Sequence, residues 1–195
     1  MPANVICITN RHLCSPSGRS FLEQLEKIAQ GGPRQIILRE KDLDEESYLS
    51  LLLKCRDICQ AHAVPLYAHT FIGAAKAAGI SRIHLPLPLL IKNGGRPKDF
   101  TSVGTSIHSL EDAKKAAALG VDYMTAGHIF ETDCKAGLPG RGLRFLAKVC
   151  AASPVPVYAI GGITPQNMPD ILNAGAAGGC MMSSLMGAKN PETLL

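Results

Sequence analysis

The chain lacks any apolar run approaching the roughly 20 residues of a membrane-spanning helix, so no helical span is expected. Its first residues, Met1-Pro-Ala-Asn, show no basic segment followed by an apolar one, so a secretory signal is not expected either. Cysteine pairs of the C-x-x-C kind are missing, and the seven cysteines are odd in number. Neither a disulfide framework nor a zinc site is therefore expected, and a reducing cytoplasm is the simplest compartment. Basic clusters and basic stripes with interleaved aromatics are missing as well. A net charge of +4, spread along the chain, is far from a nucleic-acid-binding signature but suits a small anionic ligand.

What remains is a globular composition, 46% hydrophobic and 18% charged, which excludes disorder. At 195 residues, with no linker or low-complexity tract, one domain spanning 1–195 is expected. A phrase recurs along it: a helical stretch, a small residue with Gly, then a short apolar run. It is seen at Ala29-Gln-Gly-Gly, Ala78-Gly, Leu119-Gly and Ala174-Gly. Gly just past a helix supplies its left-handed end, and the apolar run reads as a strand buried on both faces. Eight such strands are expected, around residues 4–9, 35–39, 65–68, 82–85, 102–106, 122–127, 156–160 and 179–183. Strict alternation predicts an α/β fold, a single (β/α)8 TIM barrel, with an open doubly wound sheet as the alternative. Asp44 is expected to cap a helix whose inner face carries Tyr48, Leu51, Leu52, Cys55, Ile58 and Cys59. Ser109-Leu-Glu-Asp and Thr164-Pro165 read as further helix starts, and only a short helix is expected after Asn190.

In such a barrel the working residues follow the strands. Those positions hold Asn10-Arg11, Arg39-Glu40-Lys41, Ser106, Thr132 to Lys135, Gly161-Gly162 and Ser183-Ser184, with His69, His84, His108 and His128. Gly161-Gly162 after strand seven and Ser183 after strand eight sit where barrels commonly hold phosphate, although a Gly pair also makes an ordinary tight turn. Arg39 and Lys41 bring two cations to the end of strand two, with Glu40 placed to neutralise a neighbour. Imidazole titrates near neutrality, so His128 suits proton transfer, while a lone His is as readily structural.

Several phrases together resemble the thiamine phosphate synthase superfamily over nearly the whole length. They are Ile8-Thr-Asn-Arg, Leu38-Arg-Glu-Lys, His84-Leu, Gly104-Thr-Ser-Ile-His-Ser, Gly120-Val-Asp-Tyr, Ala159-Ile-Gly-Gly-Ile-Thr and Met182-Ser-Ser. The resemblance also has departures. Where the synthases carry Asn-Asp-Arg after strand three, this chain has His69-Thr70-Phe71. Where they carry His-Leu-Gly-Gln-x-Asp, it has His84-Leu-Pro-Leu-Pro-Leu89, and a Gln is replaced by Ile37. The lost aspartates are those the resemblance assigns to Mg²⁺, and neither Thr nor Leu replaces a carboxylate.

Gly127 to Lys135, followed by Gly140-Arg-Gly, resembles the TenI-type thiazole tautomerase branch, with His128 where the synthases commonly have Pro. The resemblance therefore implies an isomerase that aromatises a carboxythiazole phosphate tautomer by acid–base transfer, with His128 catalytic and neither metal nor cofactor. It implies Arg39 or Lys41 at the ligand carboxylate, Gly162 and Ser183 at the phosphate, Thr132 with Lys135 around the ring, and Ser106, Cys134, Gly161 and Met182 as further substrate-binding residues. The partner expected is a small phosphorylated thiazole, not nucleic acid or membrane, and apolar helix faces leave a homodimer open. The alternatives are a thiamine phosphate synthase with altered ligands and a non-catalytic regulator that binds the same phosphate compounds.

Overall fold

The computed structural model describes residues 4–132 and 137–195. Its parallel strands are β1 Val5–Ile8, β2 Gln35–Leu38, β3 Leu66–His69, β4 Arg82–Pro86, β5 Ser102–Ile107, β6 Tyr123–Gly127, β7 Val157–Ile160 and β8 Gly178–Met181. The hydrogen-bonded order is β1 through β8, closed, which is the expected (β/α)8 barrel and excludes the open sheet. The helices are α1 Phe21–Gln30, α2 Glu45–Ala61, α3 Ile72–Ala77, α4 Leu87–Lys92, α5 Leu110–Ala118, α6 Gly142–Ala152, α7 Met168–Asn173 and α8 Ser183–Met186. Among the described residues, no helix is long and apolar enough to cross a membrane. The chain forms two compact units, one of Met1–Ile83 with Met181–Leu195 and one of His84–Cys180.

In the first unit, β1, β2 and β3 are buried at every position, which is why their sequences run apolar without alternation. Ser20 opens α1 with a full capping box: its hydroxyl accepts from the Glu23 N–H while the Glu23 carboxylate accepts from the Ser20 N–H. Asp44 caps α2 as expected, accepting from the Ser47 N–H at 2.8 Å. The inner stripe of α2 is Tyr48, Leu52, Cys55 and Cys59, whereas Leu51 and Ile58 flank it half-buried. The last segment joins this unit through Gln24 of α1, whose buried amide donates to the Leu185 and Ala188 carbonyls at 2.7 and 2.9 Å. The short ending is a 3-10 helix, Pro191–Leu194.

In the second unit β5, β6, β7 and β8 pair in register, Gly104 facing Tyr123 and Thr125 facing Tyr158. Ser109 caps α5, and Asp112 reaches back to the His108 N–H at 2.9 Å, one residue beyond a simple box. The start expected at Thr164-Pro165 falls later. Thr164 and Asn167 exchange hydrogen bonds in a turn, and α7 begins at Met168 with Asn167 in the cap position.

Candidate active site

At the C-terminal ends of the first unit's strands, Glu40 is 2% exposed, and its carboxylate anchors the region. It accepts from the Thr9 hydroxyl at 2.7 Å and from the Arg11 backbone and guanidinium at 3.1 Å. Thr9 in turn accepts from the Arg39 N–H at 3.0 Å. Glu40 thus pairs across the sheet with Arg11, and not with the sequence neighbour it was expected to neutralise. The Arg11 guanidinium also forks onto Asp42, which with His12 holds the Asp42 carboxyl well below the usual carboxylate range. With Glu40 committed elsewhere, the Arg39 and Lys41 side chains have no hydrogen-bond or ion-pair partner among the described residues. Partial desolvation, and then the Arg39 charge beside it, lower the Lys41 pKa.

Sequence reasoning missed Tyr48, which as a lone aromatic on a helix reads as core. Its buried hydroxyl donates to the Leu38 carbonyl at 2.8 Å and accepts the His69 N–H at 2.8 Å, tying the ends of β2 and β3 together. His69 is buried, and its Nδ1 lies 2.7 Å from the Thr70 hydroxyl, with Thr70 at φ 69°. Met182 sits at the start of α8, where its carbonyl accepts from Leu185 and Met186, and Ser183 is exposed beside it.

The second unit gathers His84, Ser106, Tyr123 and Thr125 into one hydrogen-bonded chain. Tyr123 Oη lies 3.0 Å from His84 Nδ1, His84 Nε2 lies 2.9 Å from Ser106 Oγ, and Thr125 Oγ1 donates to Ser106 Oγ at 2.9 Å. Burial pushes His84 down to about 3, so its ring is neutral. His108 Nδ1 meets the Gly127 carbonyl at 2.9 Å.

His128 is 8% exposed, with Nε2 3.3 Å from the Leu138 carbonyl and Nδ1 buried without a partner among the described residues. Its loop is laid directly on the end of β7, where the Ile129 and Phe130 N–H groups donate to the Ile160 and Gly161 carbonyls. Gly161 and Gly162, at φ 97° and 66°, make room for this. A Cβ on the first would lie 2.4 Å from His128 Cβ, and one on the second 2.6 Å from the Glu131 carbonyl. The structure therefore brings His128, Gly161 and Gly162 together, and packing alone accounts for both glycines. Thr132 is half-buried, and Cys134 and Lys135 lie outside the described residues.

A cavity of about 440 Å³ in the first unit lies elsewhere, at the N-terminal ends of β2 and β3, lined by Gly32, Arg34, Gln35, His62, Tyr67 and Arg82. None of the expected site residues lines it.

Residues 5–185 match the profile of a known family, described as thiamine monophosphate synthase. The chain belongs to that family. It is 33% identical to the thiamine-phosphate synthase of Syntrophomonas wolfei, over 95% of this chain and 89% of that one. It is 35% identical to the thiamine-phosphate synthase of Albidiferax ferrireducens, covering 89% and 81%. A thiamine phosphate pyrophosphorylase from Pyrococcus furiosus superposes with a TM-score of 0.82 at 25% identity, covering 97% and 90%.

These relatives overturn the expectation of a thiazole tautomerase. Their names are those of a transferase, not an isomerase, and their similarity runs through both units rather than resting on the segment around His128. The expectation rested on the loop phrase from Gly127 to Lys135 and on the aspartates missing at Thr70 and Leu89. The identity, by contrast, is spread over the whole chain, and residues 133–136 of that phrase lie outside the described residues.

The magnesium carboxylates implied for thiamine monophosphate synthases do not fit this chain. At their positions Thr70 has its hydroxyl against His69, and Leu89 offers only an aliphatic side chain. Among the described residues no group of three His, Cys, Asp or Glu side chains is placed to hold a metal ion.

Proposed function

We propose that the chain is a thiamine-phosphate synthase-type transferase with an altered anion-binding set. It moves a pyrimidine unit from its pyrophosphate ester to a thiazole phosphate and releases pyrophosphate. The observation that carries this reading is the 33–35% identity to named synthases over 89–95% of the chain. It is supported in the first unit by Arg39 and Lys41, two cations with no carboxylate partner among the described residues. Buried Glu40 takes up Arg11 instead, leaving those charges for an anionic leaving group. Met182 and Ser183 are that unit's further ligand-binding candidates. In the second unit the candidates are Ser106, Thr132 and the Gly161-Gly162 backbone, with His128 as a group able to exchange a proton with the ligand. Cys134 and Lys135 are carried as candidates on the resemblance alone.

The six described cysteines are all unpaired thiols, and burial pushes Cys59 up to about 12, which favours the inert thiol and supports a reducing compartment.

One observation favours a second reading. With Thr70 and Leu89 where carboxylates are implied, the chain would bind its phosphate compounds without turning them over. A single assay separates the two. Pyrophosphate release is followed with both phosphorylated substrates present, at several Mg²⁺ concentrations and with EDTA, beside calorimetric binding of each substrate. Release that disappears in Arg39→Ala and Lys41→Ala supports the transferase. Binding without release under every condition supports the second reading.

A further inference from the structure

Three of the phrases shared with the family, His84-Leu, Gly104-Thr-Ser and Gly120-Val-Asp-Tyr, meet in one place in the second unit. Tyr123 pairs in register with Gly104, and its ring lies against that residue. A Cβ at position 104 would stand 2.1 Å from Tyr123 Cζ and 2.6 Å from its oxygen. The missing side chain on β5 is what lets the phenol reach His84 Nδ1, at 3.0 Å. On its other side the imidazole meets Ser106, which also receives Thr125.

Donor and acceptor capacity decides what this chain does. A hydroxyl has one proton and two lone pairs, and a neutral imidazole has one N–H and one acceptor nitrogen. With Thr125 donating to Ser106, two protonation patterns satisfy the distances. In one, Ser106 gives its proton to His84 Nε2 and has none to offer. In the other, Tyr123 donates to Nδ1, His84 Nε2–H donates to Ser106, and Thr125 donates to Ser106 as well. Both Ser106 lone pairs are then filled from inside the protein, and its O–H is turned outward. A phenol is a stronger hydrogen-bond donor than an aliphatic alcohol, and the bare imidazole nitrogen is the strongest neutral acceptor in the set, so the second pattern pairs best donor with best acceptor.

We propose that His84, held in its Nε2–H tautomer by Tyr123, is a positioning residue that fixes Ser106 as an obligate hydrogen-bond donor to an anionic ligand oxygen of the phosphate or pyrophosphate class. Ser106 is half-buried, while His84, Tyr123 and Thr125 behind it are buried, so only the serine is placed to meet a ligand. The ring stays neutral through the physiological range, consistent with burial, and acts by orientation rather than by charge. The ligand class rests on the transferase reading above, whereas the tautomer does not.

The test has two arms. Long-range ¹H–¹⁵N correlation on histidine-labelled protein, with His84→Gln to assign the signals, reports the tautomer of His84 in the unmutated chain. The expected result is protonated Nε2 and bare Nδ1, and the reverse overturns the proposal. Calorimetry with inorganic pyrophosphate then compares the unmutated protein with Ser106→Ala, Tyr123→Phe and the double variant. Each single change is expected to weaken binding about tenfold, and the double change no further, because both remove the same donated proton. Tyr123→Phe binding as tightly as the unmutated protein overturns the proposal. An Nε2–H tautomer in a protein that ignores pyrophosphate leaves the role of His84 standing and sinks both the ligand class and the transferase reading.

Discussion

His84 is buried, and its burial makes stability depend on pH. Its folded pKa of about 3 lies below the 6.5 of an unfolded histidine, so the unfolded chain takes up the proton first. The stabilisation is complete above about pH 6.5 and is lost as pH falls towards 3, at up to about 1.4 kcal/mol per pH unit. Urea unfolding at pH 7, 5 and 4 should show this loss, and His84→Gln should flatten the slope between pH 6.5 and 4 even if it lowers stability at pH 7. Tyr48 makes a different kind of contribution, since one hydroxyl satisfies two buried backbone groups. Tyr48→Phe keeps the ring but leaves the Leu38 carbonyl and the His69 N–H without it, costing about 1–3 kcal/mol in chemical denaturation. Sequence alone pointed to neither role. A tyrosine on an apolar helix stripe looks like any other core residue, and a histidine after a strand looks solvated until its burial is known.

Elements were more legible than side-chain partners. The strands were readable because burial on both faces leaves apolar runs with no alternation, as in Val5–Ile8 and Gln35–Leu38. The start of α7 was not, because Thr164-Pro165 has the composition of a cap, yet Thr164 and Asn167 close a turn on each other and the helix begins only at Met168. Glu40 was read as serving its neighbours because sequence shows adjacency along the chain, whereas strand pairing brings Arg11 to it across 29 residues. Pairing of elements also explains why Gly104 is where it is. Gly104→Ala is expected to destabilise by about 1–3 kcal/mol through overpacking against Tyr123. In a double-mutant cycle with Tyr123→Ala, the two costs should be less than additive, since removing the ring removes the clash. Strict additivity would mean that β5 accommodates the methyl without touching the phenol.

For the whole molecule, the barrel topology was legible from the eight-fold alternation, and the family from phrases spread along the chain. The branch within the family was misread, because the loop phrase around His128 and the aspartates missing at Thr70 and Leu89 were set above a pattern that spans both units. The division into units was not legible either, since the first is assembled from residues far apart in sequence. Gln24 is one of its ties, reaching carbonyls 161 and 164 positions away. Gln24→Leu, close in volume, would remove the amide donor from both carbonyls, leaving Leu185 only its backbone donors, and should cost about 1–3 kcal/mol in urea unfolding with the m value unchanged.

That discontinuity matters while the chain is being made. Residues up to Ile83 leave the ribosome early, but the segment from Met181 that completes their unit follows only after the contiguous second unit, His84–Cys180, has been synthesised. At roughly 5–20 residues per second, the delay is on the order of 5–20 seconds. Through that interval the Gln24 amide, destined for the interior, lacks the carbonyls that will receive it. Of the two units, the one begun first is thus the one finished last, and its early residues are the ones most dependent on protection from aggregation.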